Sequence, residues 1–237
     1  MFIIGTICCR GGSKGLPGKN VKLLNGKPLM AYTIETASKV DLLHDVIVST
    51  DDLDISNTAK KYGIKKVFDR PAHLATDTSS KWLVFRHVIE QYENLYGNQI
   101  DYLVDLDVTV PLKTKEDISG AILMAMKNPQ ADVIITAYEA ERNPYFNMME
   151  LSHDGFAEIV KKSSHPVTCR QDAPEVYCLT PAAYVIKRKA LMEYEHWSHA
   201  KCLLYPIPRE RAIDIDTALD FKFVEFILSE NGKQKLI

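Results

Sequence analysis

The sequence predicts an α/β protein built on a mainly parallel sheet with helices on both faces, a three-layer, Rossmann-like arrangement. Short apolar runs rich in β-branched residues, as buried strands require, alternate along the chain with amphipathic helical patterns. This repeated order places the strands side by side in one sheet, whose ligands bind at the carboxyl ends of the strands. The 237 residues, 46% of them apolar, suffice for one large domain over 1–237 and exclude general disorder.

Local patterns set the individual elements. Pro28 occupies a first helical turn, Ser80 precedes a helix, Gly63 ends one, and Thr114 with Asp117 three residues later resembles a capping box. The predicted strands are 3–8, 45–49, 64–68, 101–106 and 132–136, followed after a break by 182–186 and 202–207. The predicted helices are 29–37, 53–62, 82–95, 118–127 and 217–229.

The alternation stops after Tyr138, and an antiparallel insertion is predicted at 138–170. Its two strands are 147–151 and 156–160, because an Asp-Gly pair between them supplies the positive φ angles of a tight turn. Several side chains of this hairpin are apolar, and exposed apolar strands are unfavourable unless something covers them. Two explanations stay open on these grounds, a flap over the core and a dimer contact.

Charge is distributed unevenly along the chain. Residues 1–40 hold six Lys or Arg and one acid, whereas the remaining 197 residues hold 23 basic and 30 acidic side chains. A basic opening of about +5 on an acidic protein suits a polyanionic ligand bound at one place. The isoelectric point near 6.4 argues against a nucleic-acid partner.

Targeting and redox signals favour a cytoplasmic protein with no membrane partner. No apolar run approaches the roughly 18 residues that a membrane span needs. The five cysteines contain no CxxC pair, so reduced thiols packed as small apolar residues are expected.

The loop after the first predicted strand is suited to binding phosphates. Residues 10–20 contain four glycines, which let the backbone turn tightly and direct N–H groups at an anion. Arg10, Lys14 and Lys19 add three cations. The segment matches neither GxxxxGK[ST] nor GxGxxG, so a merely solvated turn is the alternative if the loop is considered alone.

Two acids near the chain end complement this loop. Asp214 and Asp216 alternate with isoleucine, so both carboxylates lie on one face of an extended segment, about 7 Å apart at Cα. Such oxygens suit Mg²⁺ bridging a protein to nucleotide phosphates. The alternative is that Asp216 only caps the following helix. Together with the basic loop, the metal interpretation is favoured.

Several segments in order resemble one family, the acylneuraminate cytidylyltransferases, also called CMP-sialic acid synthetases. The resemblance covers nearly the whole chain and implies a nucleotidyltransferase-type sheet and the coupling of CTP to a nine-carbon 2-keto sugar acid, with release of pyrophosphate. The matching segments are RxxSKGxPxKN at 10–20, GKPL at 26–29, STD at 49–51, RPAHLATDT at 70–78, TVPL at 109–112 and IDIDT at 213–217.

The resemblance also implies roles for individual residues. Lys14 lies beside the α-phosphate in the transition state, Arg10 and Asp216 complete the catalytic set, and Asp214 and Asp216 hold Mg²⁺. A homodimer is implied, in which 138–170 reaches over the partner's site. The implied nucleotide contacts are Arg10 and Lys14 at the triphosphate, Gly12, Ser13 and Lys19 in the same loop, Asn20 at the ribose, Arg70 at cytosine, and Ser80.

The sugar half departs from the sialic acid pattern. Arg170 matches an arginine that pairs with the sugar's carboxylate, and Tyr184 belongs to the same expected pocket. Asp107 stands where the family has a sugar-contacting glutamine, Lys113 where it has an arginine, and Thr180 where it has an asparagine. Replacing an amide by a carboxylate removes a donor and adds a charge. We therefore predict a legionaminic-type sugar acid, with N-acetylneuraminate as the rival.

Two other functions are weighed. A nucleotidyltransferase for the eight-carbon Kdo-type sugar usually has Arg after the Ser-x position, whereas this chain has Ser13-Lys14-Gly15. A catalytically inactive nucleotide-binding relative is the second, and the intact basic loop and paired acids argue against it.

Overall fold

Seven strands form the central sheet of the computed structural model, which describes residues 1–12 and 15–234. In chain order these strands are β1 (Ile3–Cys8), β4 (Asp45–Thr50), β5 (Lys66–Asp69), β6 (Tyr102–Asp105), β7 (Val133–Glu139), β10 (Tyr177–Lys187) and β11 (Cys202–Pro206). Their order across the sheet is β11-β7-β10-β6-β1-β4-β5. Two small antiparallel pairs are β2 (Leu23–Leu24) with β3 (Lys27–Pro28), and β8 (Met149–Leu151) with β9 (Ala157–Ile159).

The predicted, mainly parallel sheet is confirmed, with one strand reversed. β1 lies between β4 and β6 and is parallel to both. β10 is antiparallel to β6 and to β7, and its register shifts between Leu179 and Tyr184. It is longer than the predicted strand 182–186, because its first half continues the pairing with β7 beyond the end of β6.

The helices begin where the sequence predicts caps. The Asp52 carboxylate accepts a hydrogen bond from the Ile55 N–H, and the Thr114 and Asp117 side chains form the reciprocal capping box. Ser80 caps the next helix by accepting from the Trp82 N–H. The helices are α1 (Leu29–Ala37), α2 (Leu53–Lys61), α3 (Lys81–Tyr96), α4 (Lys115–Lys127), α5 (Arg188–Glu193) and α6 (Ala218–Gln234).

The core lies on both faces of the sheet, which gives the expected three layers. On one face, α1, α2, α4 and α6 bury apolar side chains such as Ile34 and Ile122. On the other, α3 and α5 bury a second cluster that includes Trp82, Ile89 and Leu191. None of the helices in the described ranges is long and apolar enough to cross a membrane.

The predicted hairpin is confirmed as β8 and β9, joined by a turn in which Gly155 has φ +82°. Met149, Leu151 and Phe156 are 60%, 76% and 74% exposed. These side chains contribute nothing to the buried core of the described residues, so the hairpin is not a core flap.

Candidate active site

A cleft of about 350 Å³ opens at the carboxyl ends of β1 and β6, where the fold class predicts a ligand. It joins the glycine-rich loop to the two late acids, which are some two hundred residues away in sequence. Its lining residues are Cys8, Cys9, Arg10, Gly12, Gly15, Lys19, Asn20, Asp107, Thr109, Asp214 and Asp216. Ser13 and Lys14, two predicted site residues of the same loop, lie outside the described residues.

Lys19 and Gly15 bring the glycine-rich loop into contact with the segment that contains Asp214 and Asp216. The Lys19 ammonium donates to the Ile215 carbonyl at 2.8 Å and lies 3.4 Å from the Asp216 carboxylate. A β-carbon at Gly15 would lie 2.3 Å from the Asp216 carbonyl oxygen, closer than any real contact. Gly15 therefore permits a backbone approach that no other residue allows without displacing one of the two segments.

Asn20 and Arg10 stabilise the start of the loop. Asn20 is buried and donates to the Arg10 carbonyl at 3.1 Å. The Arg10 guanidinium lies 2.6 Å from the Asp77 carboxylate. The start of the loop is thus held by the Asn20 side chain and by the contact between Arg10 and Asp77.

The two acids differ in environment, and the difference fits a divalent cation. One carboxylate oxygen of Asp214 is buried and has no hydrogen-bond partner among residues 1–12 and 15–234. Burial raises the pKa of Asp214, and the neighbouring Asp107 and Asp216 carboxylates raise it further. A bound cation would supply the charge and the partner that this oxygen lacks. In the described ranges no group of three or more His, Cys, Asp or Glu could hold a metal alone. A Mg²⁺ that takes one or two carboxylates and completes its shell with phosphates and water is consistent with this.

Asp216 does not cap α6, contrary to the alternative interpretation. The Asp220 carboxylate accepts from the N–H groups of Asp216 and Thr217, and the Thr217 hydroxyl accepts from the Asp220 N–H. Those two residues satisfy the helix start. The Asp216 side chain remains 75% exposed on the cleft side of Lys19.

A second cavity, of about 470 Å³, contains Arg70 and the loops after β4 and β5. Arg70 is buried and donates to the Ser49 carbonyl at 2.8 Å, which fixes its guanidinium plane. The Gly11 N–H donates to the Asp51 carboxylate at 3.1 Å, so the glycine-rich loop adjoins this cavity. The structure therefore brings Arg70 beside the cleft, and its contact with the base stays a prediction.

A third cavity, of about 450 Å³, is mostly aromatic. Tyr184 lines it as predicted, and burial raises the pKa of this phenol to about 12. Ser80 also lines it, although its hydroxyl caps α3. The lining residues are Ser80, Lys81, Trp82, Phe85, Asp105, Pro181, Tyr184, His196 and Trp197.

Lys81 joins the third cavity to the cleft through two carboxylates. Its ammonium lies 3.0 Å from the Asp105 carboxylate and 2.5 Å from that of Asp107. Burial disfavours the ammonium, but the two carboxylates outweigh it and hold the pKa of Lys81 well above its usual value. Burial raises the pKa of Asp105. Burial also acts to raise the pKa of Asp107, but the charge and hydrogen bond of Lys81 have the larger effect and lower that pKa to about 2.

Three residues expected at the sugar line none of the three cavities described above. Lys113 is buried and donates to the Thr33 hydroxyl and to the carbonyls of Asp107 and Val110, so it supports the cleft from beneath and does not line it. Thr180 is also buried and donates to the Ala212 carbonyl.

Arg170 is exposed in a short 3₁₀ segment and donates to the Ala140 carbonyl at 3.4 Å. Neither Arg170 nor Thr180 lines any of the three cavities described above.

Sequence reasoning missed Lys81, Asp105 and the aromatic wall formed by His196 and Trp197. A signal existed for one part of this set: Asp105 and Asp107 alternate in the same way as the two late acids. Asp105 is the last residue of the buried strand β6 and Asp107 follows it, so both lie at the carboxyl end of that strand, where ligands bind.

Comparison with known proteins agrees with this geometry. The family model of the cytidylyltransferases matches residues 4–233. Post-translational flagellin modification protein B of Campylobacter coli is 39% identical over 232 residues, covering 98% of this chain and 97% of that protein. CMP-N,N'-diacetyllegionaminic acid synthase of Campylobacter jejuni is 37% identical over 227 residues, covering 96% and 95%.

A solved structure shows the same fold at low identity. CMP:2-keto-3-deoxy-manno-octonic acid synthetase, in complex with CTP, superposes with a TM-score of 0.71 at 16% identity, over 98% of this chain and all of that one. The family match spans nearly the whole chain and so confirms the predicted enzyme class, a nucleotidyltransferase that uses CTP. This chain belongs to the cytidylyltransferase family.

Proposed function

We propose that this protein transfers CMP from CTP to a nine-carbon 2-keto sugar acid of the legionaminic type and releases pyrophosphate. The observation that carries the proposal is that Asp214 lines the same cleft as the glycine-rich basic loop and has a buried oxygen with no hydrogen-bond partner among the described residues. A triphosphate would supply anionic oxygens to the glycine-rich loop, and its divalent cation would supply positive charge to the carboxylates of Asp214 and Asp216.

The reaction is an in-line attack by the sugar's anomeric hydroxyl on the α-phosphorus of CTP. The new oxygen–phosphorus bond forms as the bond to pyrophosphate breaks, and the hydroxyl proton is lost to solvent or to a base. Asp214 and Asp216 would hold Mg²⁺, which would neutralise charge on the phosphates and lower the pKa of the attacking hydroxyl. Arg10 and Lys19, with Lys14 by its place in the motif, stabilise charge on the transferred and leaving groups.

The legionaminic type is favoured over N-acetylneuraminate for two reasons. A relative with 37% identity over nearly the whole chain is named a CMP-N,N'-diacetyllegionaminic acid synthase. In addition, the wall between the cleft and the aromatic cavity is an ion cluster of Lys81, Asp105 and Asp107, whereas the sialic acid pattern has a neutral amide in place of Asp107.

The test is CMP-sugar formation by the wild-type protein and by Asp214→Asn. We expect N,N'-diacetyllegionaminic acid to give the highest kcat/KM, and Asp214→Asn to lower kcat by about a hundredfold or more at saturating Mg²⁺, because it removes a charged metal ligand. Asp41→Asn, the same change at an exposed site, should behave as wild type. Near-normal turnover by Asp214→Asn would refute the metal assignment, and a highest kcat/KM for N-acetylneuraminate would refute the sugar assignment.

We also propose that the protein is a homodimer that places the β8–β9 hairpin on its partner. The hairpin exposes Met149, Leu151 and Phe156 on a two-stranded ribbon outside the core. Isolated ribbons of this kind are marginally stable in water, and a partner subunit would cover the apolar side chains.

We place the enzyme in the cytoplasm. All five cysteines are free, as expected in a reducing compartment, and its co-substrate CTP is a cytoplasmic nucleotide.

A further inference from the structure

Lys81 lies on the wall between the cleft and the aromatic cavity. An ammonium carries three N–H donors. One is directed to Asp105 at 3.0 Å and one to Asp107 at 2.5 Å. The Lys81 side chain is 47% exposed and lines the aromatic cavity, so its third N–H is available to a ligand there.

The two carboxylates are themselves fixed by other donors. The Thr6 hydroxyl donates to the second oxygen of Asp105, and the Thr109 N–H and hydroxyl donate to the second oxygen of Asp107. Lys81 therefore cannot move away without leaving an oxygen of the buried Asp105 carboxylate unpaired. Its third N–H, which has no acceptor among the described residues, is a preorganised donor on a rigid site.

The charges around Lys81 determine which kind of acceptor its third N–H can bind. The single positive charge of Lys81 is already shared by two carboxylates. A third carboxylate at this place, such as that of the sugar acid, would meet like charge at close range. The group that suits the third N–H is therefore a neutral oxygen acceptor.

The aromatic side chains of the same cavity indicate which chemical group carries that neutral oxygen. Trp82, Phe85, Tyr184 and Trp197 make the cavity largely apolar, and it is larger than one methyl group requires. A neutral oxygen with a small apolar group beside it is the chemistry of an acylamino substituent, whereas a bare hydroxyl would leave the aromatic wall unused.

We propose that Lys81 is a specificity-determining residue: its third N–H donates to the carbonyl oxygen of an acylamino substituent on the sugar, and the acyl group packs against the aromatic wall. This inference rests on the proposed function and names the feature of the sugar that the site selects. Asp105 and Asp107 act as positioning residues for Lys81.

The experiment measures kcat/KM for two sugar acids that differ at one substituent, N-acetylneuraminate and its analogue with a hydroxyl in place of the acetamido group. The wild type should prefer the acetamido compound. Lys81→Met should lower that preference about tenfold to a hundredfold, the effect of losing one hydrogen bond from a charged donor. The KM for CTP should change less than this preference does, because Lys81 contacts the nucleotide cleft only through Asp107.

Two further variants make the result specific. Lys115→Met makes the same change at the first residue of α4, outside the three cavities, and should retain the wild-type preference. Trp197→Ala alters the aromatic wall without touching the ion cluster and should also lower the preference, so it decides the matter if Lys81→Met does not fold.

An unchanged preference in both Lys81→Met and Trp197→Ala, with normal turnover, would overturn this inference alone. Absence of CMP-sugar with every sugar acid, including N,N'-diacetyllegionaminic acid, would instead overturn the proposed function.

Discussion

Lys113 makes the stability of this protein depend on pH in a range where most side chains do not titrate. It is a buried lysine that, among the described residues, has three oxygen acceptors and no carboxylate in direct contact. Burial lowers its pKa from 10.5 to about 7, although the charges of Asp107, Asp105 and Asp214 oppose this. Each unit by which a pKa falls is 1.36 kcal/mol, so the buried ammonium costs about 5 kcal/mol.

The direction of the effect follows from proton counting. Below pH 7 Lys113 is protonated in the folded and unfolded states, and the full cost of burying its charge is present. Between pH 7 and 10.5 only the unfolded state binds the proton, so stability rises with pH; above 10.5 neither state does and the effect ends.

The assay is urea unfolding of the wild type and Lys113→Met at pH values from 6.5 to 9.5. Between pH 7.5 and 9.5 the free energy of unfolding of the wild type should rise by about 3 kcal/mol relative to the variant. Groups that titrate in both proteins cancel in this difference. Lys115→Met, at an exposed lysine, should follow the wild type. Parallel curves for the wild type and Lys113→Met would refute the reasoning.

Two more predictions concern the loop and the hairpin. Gly15→Ala should lower kcat about a hundredfold, because its β-carbon would displace the Asp216 backbone and a misplacement of catalytic groups near 1 Å lowers the rate by about that factor. Steady-state kinetics would measure the loss, with an unchanged circular dichroism spectrum as evidence that the variant is folded. A normal kcat would count against the close approach of Gly15 to Asp216. The double variant Leu151→Ser, Phe156→Ser should be a monomer in analytical ultracentrifugation, because both side chains are exposed and apolar and are proposed to contact the partner subunit. A wild-type protein that is already monomeric at micromolar concentration would contradict the dimer proposal.

Local sequence was enough to predict one half of the site. The glycine-rich basic loop and the alternating acids at Asp214 and Asp216 are each short segments whose composition indicates their chemistry, and the loop directly follows the buried strand β1. The rule that ligands bind at the carboxyl ends of strands then placed them in one cleft. Their contact through Lys19 is what that rule predicts.

The other half depends on contacts that local patterns do not encode. Lys81 meets Asp105 and Asp107 because α3 packs on one face of the sheet and delivers its first residue to the end of β6. Lys113 could not be distinguished from a surface lysine, since its burial depends on the acceptors that surround its ammonium. The reversal of β10 was missed for a similar reason: a buried apolar run predicts a strand but not its direction.

The transfer of the α-phosphorus tests the central claim most directly. The protein is incubated with Mg²⁺, N,N'-diacetyllegionaminic acid and CTP carrying ³²P at the α position, and the products are separated. The account predicts that the label moves into a CMP-sugar with one pyrophosphate released for each molecule formed. Label recovered as free CMP or CDP, with no sugar conjugate, would contradict it.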